Sequence, residues 1–576
     1  MASYDFVIVG GGTAGLVLAR RLSEGGKHTV LVLEAGRAPT AEQSAIVKMT
    51  VSTSLCDSSH DVELTRQYPT PPQPALNGRS FDLQTGWCLG GSSNVNFALW
   101  TRGAACDYAR IADITGDALW NFDAIISYFK KAETYHAPER GRNGLASTIK
   151  TELHGTDGPV HVRPIDGVAR TWQRSEDCRQ AYMAAGMEYR EDGSDGFILG
   201  IGEMASSDWF AGGGRQSSQA YVTPRPEKLE ILENKQVGRV IFEGKSAVGV
   251  ECISGEIFIA TKEVILSAGA LQSPAILQRS GIGPADMLQN LNIPLVHDLP
   301  GVGQNLWDHF MVSLRWRLKQ EYTGGTLDDI RDPALRNVAL QAYVQNGGGM
   351  LGGPPFEFGL WRNFNDEIKE VVRDDKTLSP RTRDYLLSPS TPHAQFLHVH
   401  GYVFAPDSHP PTRAHISILP IVATPTSRGT VRITSSDPSS DPIVDPNWLA
   451  TDVDRTIVRA GMRFADKVMS NATFVETEVS GEEDQVGFES DEKMDYKVSK
   501  NGSTVYHFAG TCAMASPNST EVLPVLNSQC EVYGVQRLRV VDMSAYPAPI
   551  SANTQAPTYA LAEKIADVIR TKYADA

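Results

Sequence analysis

The N-terminal segment contains a glycine-rich turn between two short apolar runs. Residues 5–9, which are apolar after Asp5, and residues 30–33 form short apolar runs, as expected of strands that are buried on both faces. The turn Gly-Gly-Gly-Thr-Ala-Gly occupies residues 10–15, and residues 16–23 have the pattern of a helix. This order predicts a strand, a tight turn, a helix and a second strand, which is the βαβ unit of a dinucleotide-binding fold.

The residue types in this unit fit the phosphates and the ribose of a dinucleotide. Glycines at positions 10, 12 and 15 allow the tight turn, the close approach of backbone to a pyrophosphate, and close packing of helix on strand. An acid about 20 residues further on accepts hydrogen bonds from a ribose hydroxyl and disfavours a 2′-phosphate. We therefore predict that NAD or FAD is bound by Gly10, Gly12, Thr13, Ala14, Gly15 and Glu34.

Composition excludes several classes of protein. The chain has 576 residues, of which 41% are hydrophobic and 21% charged, which is typical of a globular protein with more than one domain. Its formal net charge of −15 opposes binding to nucleic acids and to anionic membranes. No apolar run approaches the roughly 20 residues that span a bilayer. We expect neither nucleic acid nor a membrane as a partner.

The seven cysteines are scattered along the chain and show no Cys-x-x-Cys spacing. This pattern argues against a disulfide scaffold and against a thiolate zinc site, and it fits a reducing compartment. The N-terminus leads directly into the first predicted strand, without the basic and apolar regions of a signal peptide. The sequence therefore predicts a cytoplasmic location, or a secreted one if a signal peptide has been removed.

Further segments carry a resemblance to a known family. Residues 86–96 and 269–283 closely resemble the two signature segments of the glucose–methanol–choline (GMC) oxidoreductases. Other segments are similar to the family in the family's own order, namely residues 299–309, 425–432, 507–514 and 540–544. The resemblance thus covers nearly the whole chain, and it is closest to aryl-alcohol oxidase-like members. It implies an FAD enzyme rather than an NAD enzyme.

The resemblance also implies an α/β fold of two domains. A discontinuous, Rossmann-like FAD-binding domain is expected at residues 1–150, 215–312 and 505–576. A substrate-binding domain, with an antiparallel sheet flanked by helices, is expected at residues 151–214 and 313–504. Alternation at 394–403 and 415–422 predicts two strands of that sheet.

More cofactor contacts follow from the resemblance, namely Leu89, Gly91, Ser92, Asn96, Val237, Asp542, Met543, Thr554 and Gln555. The turn at residues 90–93 lets backbone amides approach a flavin or its phosphates. Asn96 offers both a donor and an acceptor to the edge of the isoalloxazine ring. Some family members attach FAD through a histidine in this segment, but the matching residue here is Val95. We therefore predict noncovalent FAD.

The resemblance places the catalytic pair at His507 and Asn553. Oxidation of an alcohol needs a base for the hydroxyl proton and a hydride acceptor, which is flavin N5. A neutral imidazole suits the first task near pH 7, whereas an amide does not titrate in this range. His507 is therefore the predicted base, and Asn553 the residue that orients the substrate oxygen. The predicted substrate is an aromatic or allylic primary alcohol, with oxygen or another compound as electron acceptor.

Four further residues are candidates for the substrate pocket, namely Phe396, His398, His400 and Tyr506. His398 and His400 share one face of the predicted strand and, with His393, form a candidate metal site. Two histidines without a third positioned ligand are more often pocket-lining or surface residues. We therefore predict that no metal is bound.

Alternatives to alcohol oxidation remain open from the sequence. The same fold in this family also supports lyases or cyclases that retain FAD without redox chemistry, and a light-driven decarboxylase. From a different class, an NAD-dependent dehydrogenase would purify colourless and bind NADH. The sequence predicts neither the individual alcohol, nor the electron acceptor, nor the oligomeric state.

Overall fold

The computed structural model describes residues 3–49, 63–138, 148–165, 175–209, 214–320, 325–346, 348–356, 358–403, 414–471 and 479–574. Two large β-sheets with helices packed against them form a mixed α/β fold, which confirms the predicted fold class. No helix within these ranges is long and apolar enough to cross a membrane. The six cysteines that lie within them are free thiols.

The strands of the described residues are, in chain order, β1 (Ser3–Val9), β2 (Val30–Leu33), β3 (Thr65–Pro69), β4 (Asp82–Gly86), β5 (Glu133–Tyr135), β6 (Val160–Pro164), β7 (Gly200–Glu203), β8 (Ala205–Ser206), β9 (Asp208–Trp209), β10 (Gly214–Arg215), β11 (Leu229–Leu232), β12 (Val237–Glu243), β13 (Ser246–Cys252), β14 (Ile257–Leu266), β15 (Ile282–Gly283), β16 (His297–Asp298), β17 (Phe310–Val312), β18 (Leu314–Leu318), β19 (Phe358–Arg362), β20 (Ala394–Val399), β21 (His415–Val422), β22 (Thr430–Arg432), β23 (Ile443–Asp445), β24 (Val479–Glu482), β25 (Gly502–Thr504) and β26 (Leu538–Val540).

The α-helices of the same residues are α1 (Thr13–Ser23), α2 (Ala41–Lys48), α3 (Ala105–Thr115), α4 (Phe122–Ala132), α5 (Ser175–Ala184), α6 (Gly269–Arg279), α7 (Ala285–Asn290), α8 (Pro333–Asn346), α9 (Asn365–Asp374), α10 (Pro380–Leu386), α11 (Asp452–Met469), α12 (Asp491–Asn501) and α13 (Gln555–Lys572). The final helix, α13, begins at Gln555. Pro557 lies in its first turn, where a missing N–H has no intrahelical acceptor to lose.

The first sheet contains the predicted βαβ unit. Its strand order is β11-β2-β1-β14-β13-β12, and β26 also pairs with β14. The strands β11, β2, β1, β14 and β26 run parallel, whereas β12 and β13 form an antiparallel extension. Residues 6–9 are almost completely buried because helices cover both faces of a parallel sheet. Three separate stretches of the chain, near its start, middle and end, build this sheet.

The second sheet is entirely antiparallel. Its order is β24-β18-β21-β20-β19-β7, and β17 pairs with both β21 and β25. The prediction of a strand at 415–422 matches β21, whereas the strand predicted at 394–403 ends at Val399. β17 belongs to this sheet although the predicted division assigns it to the FAD-binding domain. The remaining domain boundaries stay a prediction.

One face of the second sheet is covered by helix α11. This helix is capped by Thr451, whose side chain accepts a hydrogen bond from the backbone N–H of Asp454. Buried residues recur along it at helical spacing, and they pack against β20 and β21. The opposite face of the second sheet is directed towards the first sheet, and a cavity lies between the two sheets.

Candidate active site

One cavity of about 440 Å³ extends from the glycine-rich turn to the second sheet. It is lined by most of the predicted site residues, namely Gly10, Gly12, Thr13, Ala14, Glu34, Gly91, Ser92, Asn96, Val237, Tyr506, His507, Asp542, Met543, Asn553, Thr554 and Gln555. We call the part formed by residues 10–14, 34–35 and 91–93 the glycine end. The volume of the whole cavity lies within the range of small-molecule and cofactor sites.

The glycine end is shaped by backbone packing that no side chain allows. A Cβ atom on Gly15 would lie 1.9 Å from the carbonyl oxygen of Gly10, so helix α1 and β1 approach closely only because residue 15 is glycine. Gly10 itself has φ of +102°, and a Cβ there would lie 2.4 Å from the carbonyl oxygen of Ser267. Gly15 and the predicted contact residue Leu89 thus support the turn from beneath and do not line the cavity.

The N-terminus of α1 opens into the glycine end. The first intrahelical bond runs from the N–H of Leu16 to the carbonyl of Gly12, at 3.1 Å. The N–H groups of residues 13–15 have no acceptor within the helix, and Gly12 has no side chain to cap them. Together with the helix dipole, these groups form a site for an anion such as a pyrophosphate.

Glu34 lies at the end of β2, on the wall of the glycine end. Its carboxylate accepts a hydrogen bond from the N–H of Gly11 and another from the N–H of Gly36, each at 2.8 Å. Burial raises the pKa of this carboxyl group, although the two hydrogen bonds oppose the shift. Each carboxylate oxygen keeps a second lone pair, so a ribose hydroxyl still finds an acceptor here.

Two other predicted cofactor residues are held by networks within the protein. Asn96 Oδ1 accepts from Arg215 at 2.5 Å, and Asn96 Nδ2 donates to the side-chain oxygen of Gln555. Asp542 accepts from the Ser273 hydroxyl at 2.6 Å and from the N–H of Gly269 at 2.9 Å. Both ends of the Asn96 amide are thus engaged by protein groups, and one Nδ2 hydrogen remains for a cofactor.

His507 makes a direct contact with a second histidine. Its Nδ1 lies 2.8 Å from Nδ1 of His309, and its backbone N–H donates to Asp308 at 2.8 Å. Asp308 also accepts from the hydroxyl of Thr504 at 2.6 Å. These bonds fix the position of the imidazole, and among the described residues Nε2 of His507 has no hydrogen-bond partner.

Both imidazoles are neutral near pH 7. Burial, together with the adjacent His309, lowers the pKa of His507 well below its usual 6.5. Burial lowers the pKa of His309 to about 4, and the backbone of Ala423 opposes this shift. A neutral imidazole with an unprotonated nitrogen is a base, so His507 is chemically able to accept a proton.

The amide of Asn553 is oriented by two donors. Its Oδ1 accepts from the hydroxyl of Thr101 and from Nε2 of Gln395, each at 3.2 Å. The backbone N–H of Asn553 donates back to the same Thr101 hydroxyl at 2.8 Å. Since both donors hold the oxygen, the amide orientation follows from the hydrogen-bond network, and Nδ2 is the end that is left for a ligand.

The other part of the cavity is apolar. Phe97 and Phe356 meet edge to face, with ring centroids 5.4 Å apart, and the wall continues along the second sheet. We call this part the apolar end, formed by Phe97, Met311, Phe356, Leu397 and Leu419. Tyr506 lines the same cavity and is 43% exposed.

Three predicted pocket residues on or next to β20 do not line the cavity. Successive side chains of a strand point to opposite faces, and Leu397 is the one that meets the cavity. Phe396 and His398 point away from it, where Phe396 packs against Phe464 and His398 against Tyr182. His400, two residues beyond His398, lies next to Cys178. The placement of these three residues in the substrate pocket is therefore corrected.

The third histidine of the candidate metal site is also used elsewhere. His393 Nδ1 accepts from the backbone N–H of Phe364 at 2.7 Å, and Nε2 lies 2.7 Å from the carbonyl of Leu386. Both ring nitrogens of His393 thus hold the backbone, so it is not a ligand for a metal shared with His398 and His400.

Several residues of the site had no recognisable signal in the sequence. Thr101 and Gln395 orient Asn553 from segments that are more than 150 residues away from it in the chain. His309 ends the segment 299–309, which resembled the family, so a search for polar partners of His507 within such segments would have found it. Thr101 and Gln395 have no comparable marker.

Fold and cavity together define a dinucleotide-binding enzyme whose cavity holds a neutral histidine and an oriented amide. Family models described as GMC oxidoreductase match residues 4–311 and 425–562. The chain therefore belongs to the GMC oxidoreductase family and is an FAD flavoprotein oxidoreductase, which confirms the resemblance seen in its motifs.

Known relatives cover the whole length of the chain. GMC-type oxidoreductase acuG of Aspergillus aculeatus is 32% identical over 581 residues, which cover 98% of this chain and 99% of acuG. Formate oxidase of Aspergillus oryzae RIB40, with a mutation made to study FAD modification, has a TM-score of 0.87 at 27% identity and covers 100% of this chain and 99% of its own. A fungal aryl-alcohol oxidase has a TM-score of 0.83 at 25% identity, with 100% of both chains covered.

Proposed function

We propose that this chain oxidises an aromatic or allylic primary alcohol to the corresponding carbonyl compound, with FAD as the cofactor. The observation that carries the proposal is the position of His507 and Asn553 in one cavity, between the glycine end and the apolar end. A base, a hydrogen-bond donor for the substrate oxygen and an apolar wall are what such a reaction requires of the protein.

The glycine end fits the dinucleotide part of FAD. The N–H groups at the start of α1 suit the pyrophosphate, and Glu34 suits a ribose hydroxyl. When bound, FAD supplies the hydride acceptor, N5 of its isoalloxazine ring. Val95 lines the cavity where some family members attach FAD, and its hydrocarbon side chain forms no such bond. Noncovalent FAD predicts that acid denaturation releases all of the flavin into the supernatant.

The N-terminus of helix α13 favours negative charge in the cavity. Its N-terminal residue Gln555 and the preceding Thr554 line the cavity, and the side chain of Thr554 does not cap the free N–H groups. The positive end of the helix dipole therefore favours negative charge in the cavity. We propose that this end of α13 raises the reduction potential of the flavin and so favours hydride acceptance.

His507 accepts the hydroxyl proton of the substrate in this proposal. The Nδ1 atoms of His507 and His309 lie 2.8 Å apart and share one proton, which we propose is carried by His507. His309 Nδ1 is then an acceptor and receives the Nδ1–H of His507. That arrangement leaves the Nε2 lone pair of His507 for the substrate. His309 thus acts as a positioning residue that selects the tautomer of the base.

Asn553 holds the substrate oxygen through Nδ2. The hydroxyl oxygen becomes more negative as its proton moves to His507, so a donor at this position is worth more in the transition state than in the ground state. Thr101 and Gln395 keep the amide from turning its oxygen towards the substrate, since each donates to Oδ1.

The charges of the residues that line the cavity favour a neutral substrate. Besides the neutral His507, the ionisable acidic and basic residues among those that line the cavity are Glu34, Lys235 and Asp542. Lys235 donates its backbone N–H to Glu34, and Asp542 is held by Ser273, so all three belong to the cofactor side. Among the described residues that line the apolar end, no cation is present for a carboxylate substrate and no anion for a quaternary ammonium. Neutral aromatic and allylic alcohols fit both its side chains and its lack of charge.

An anaerobic screen of alcohols for bleaching of the flavin tests the proposal. We expect bleaching with aromatic and allylic primary alcohols, little with choline or formate, and formation of the aldehyde in equal amount. Air is then admitted, and the rate of reoxidation shows whether oxygen is the acceptor. A yellow protein that no alcohol bleaches, and that instead cleaves cyanohydrins or needs light to convert a fatty acid, would overturn the proposal.

A further inference from the structure

A cluster of one cysteine and two histidines lies outside the residues that line the cavity. Cys178 is on helix α5, His398 is on β20, and His400 follows directly after that strand. All three side chains are fully buried, and their potential ligand atoms lie within 4.8 Å of one another. The sequence pattern paired His398 with His400 but did not indicate Cys178, because 220 residues separate Cys178 from His398.

The distances in the cluster match those around a tetrahedral zinc ion. Cys178 Sγ lies 3.8 Å from Nε2 of His400. Typical Zn–S and Zn–N bonds of about 2.3 and about 2.0–2.1 Å place the two ligand atoms about 3.6 Å apart. The two imidazole rings are 5.1 Å apart between centroids and inclined at 61°, so they do not stack, and their candidate ligand atoms lie within 4.8 Å of each other. Small side-chain movements therefore bring all three ligands to bonding distance.

The hydrogen bonds of His398 indicate which nitrogen faces the ligand. Its Nδ1 lies 3.2 Å from the hydroxyl of the buried Tyr182, whereas its Nε2 is buried and has no hydrogen-bond partner among the described residues. A buried imidazole nitrogen without a partner loses its bond to water and gains nothing in return. Histidines that bind metals commonly use one nitrogen as ligand and fix the ring through the other. Tyr182 is placed for that second role.

We propose that Cys178, His398 and His400 bind a zinc ion. Binding breaks the S–H bond of Cys178, releases that proton to solvent and forms an S–Zn bond, while each imidazole donates a lone pair. The ion stays Zn²⁺, and no electron is transferred. A water molecule completes the tetrahedral coordination. The site replaces the earlier expectation that these histidines bind no metal, with Cys178 in the place that was considered for His393.

The position of the site indicates a structural role. A zinc ion here links helix α5 to β20. Leu397, which adjoins His398 on that strand, forms part of the apolar end. The metal thus stabilises β20 on the face opposite Leu397 and does not contact the cavity. The inference is independent of the redox reaction, since a protein without any alcohol oxidase activity would bind zinc equally well.

Metal content of the purified holoenzyme tests the proposal. The flavin-loaded protein is incubated with a small excess of ZnSO₄ and desalted, and zinc is measured by mass spectrometry against protein and flavin. We expect about one zinc per chain, which falls at least tenfold in Cys178→Ser and in His398→Gln. Cys252→Ser is the matched control, because Cys252 is a buried cysteine of the first sheet, and it should keep the zinc. Equal zinc in wild type and Cys178→Ser would overturn the proposal.

A second measurement on wild type covers the case in which the variants do not fold. Cobalt(II) in place of zinc gives d–d absorption at wavelengths longer than the flavin bands, and the intensity distinguishes tetrahedral from octahedral coordination. We expect the tetrahedral spectrum at one cobalt per chain, and its loss on addition of one equivalent of zinc. Zinc added to chelator-treated holoenzyme should also raise Tm by a few degrees, since it binds only the folded state. An octahedral spectrum, or no spectrum, contradicts the proposal.

Discussion

The glycine end and the apolar end of the cavity are built in different ways. The glycine end takes its shape from short continuous segments, in which the backbone itself contacts a ligand and a single Cβ atom disrupts the packing. The apolar end takes one side chain from each of several distant segments, among them Leu397 of β20 and Leu419 of β21. A local motif thus specifies the cofactor, whereas only the folded second sheet specifies the substrate.

The residues matched by the family models divide the chain in a similar way. They match residues 4–311 and 425–562 and leave residues 312–424 between them. This unmatched segment contains β18 to β21 and supplies Phe356, Leu397 and Leu419 to the apolar end, as well as Gln395, which orients Asn553. Changes at the glycine end should therefore affect retention of the cofactor, and changes at the apolar end should affect the choice and rate of substrate.

The largest effect is expected for His507→Ala, at the junction of the two ends. Loss of a positioned base should slow anaerobic flavin reduction by about 10²–10⁴-fold. Flavin content should stay at the wild-type level, because His507 is not part of the glycine end. Stopped-flow reduction and the ratio of flavin to protein measure the two quantities. His297→Ala, on β16 and outside the cavity lining, is the control, and near-normal reduction in His507→Ala would remove this residue from the role of base.

A second large effect is expected for Gly15→Ala, beneath the glycine end. The new Cβ would lie 1.9 Å from the carbonyl oxygen of Gly10, which belongs to the backbone and cannot turn away. We expect FAD affinity to fall about 100-fold, which corresponds to ~3 kcal/mol of overpacking. Titration of apoprotein with FAD measures it. Gly193→Ala is the control, since a Cβ there meets its nearest atom at 3.7 Å. Wild-type FAD affinity together with slow turnover in Gly15→Ala would contradict the assignment of cofactor binding to the glycine end.

The same division explains which parts of the fold and the site could be predicted from the sequence. The βαβ unit was predictable because apolar runs, glycines and the acid at 34 lie within one short segment. Phe396 and His398 were assigned to the wrong face because every residue of β20 is buried, so polarity does not distinguish its two faces. Thr101 and Gln395 could not be predicted, since only the fold brings them to Asn553.

Asn553→Ala should reduce the rate without loss of cofactor. A hydrogen bond to an oxygen that gains negative charge contributes about 2 kcal/mol, so kcat/KM for an aromatic alcohol should fall roughly 30-fold. Thr101→Val should have a smaller effect in the same direction, because one of the two donors that hold Oδ1 is lost while Gln395 remains. Unchanged steady-state kinetics in Asn553→Ala would show that Nδ2 does not contact the substrate.

Leu397→Ala and Phe396→Leu form a matched pair on opposite faces of β20. We expect Leu397→Ala to lower kcat/KM for a bulky aromatic alcohol about tenfold, because apolar contact with the substrate is lost. Phe396→Leu should leave kcat/KM unchanged and lower Tm, because Phe396 packs against Phe464 in the core. Kinetics with one bulky and one small alcohol, and thermal unfolding, separate the effects. The reverse result would place Phe396 at the substrate.

The smallest effect is expected from pH. The base must be neutral to accept a proton, and burial beside His309 lowers the pKa of His507 well below 6.5. Protonation as the pH falls therefore begins only below that value, so the rate constant of flavin reduction should change less than about twofold between pH 6.5 and 8. The acid limb should lie below pH 6.5 in wild type and be absent from the residual rate of His507→Ala. An acid limb above pH 6.5 would indicate a base that is exposed to solvent, in contrast to the buried imidazole between the two ends of the cavity.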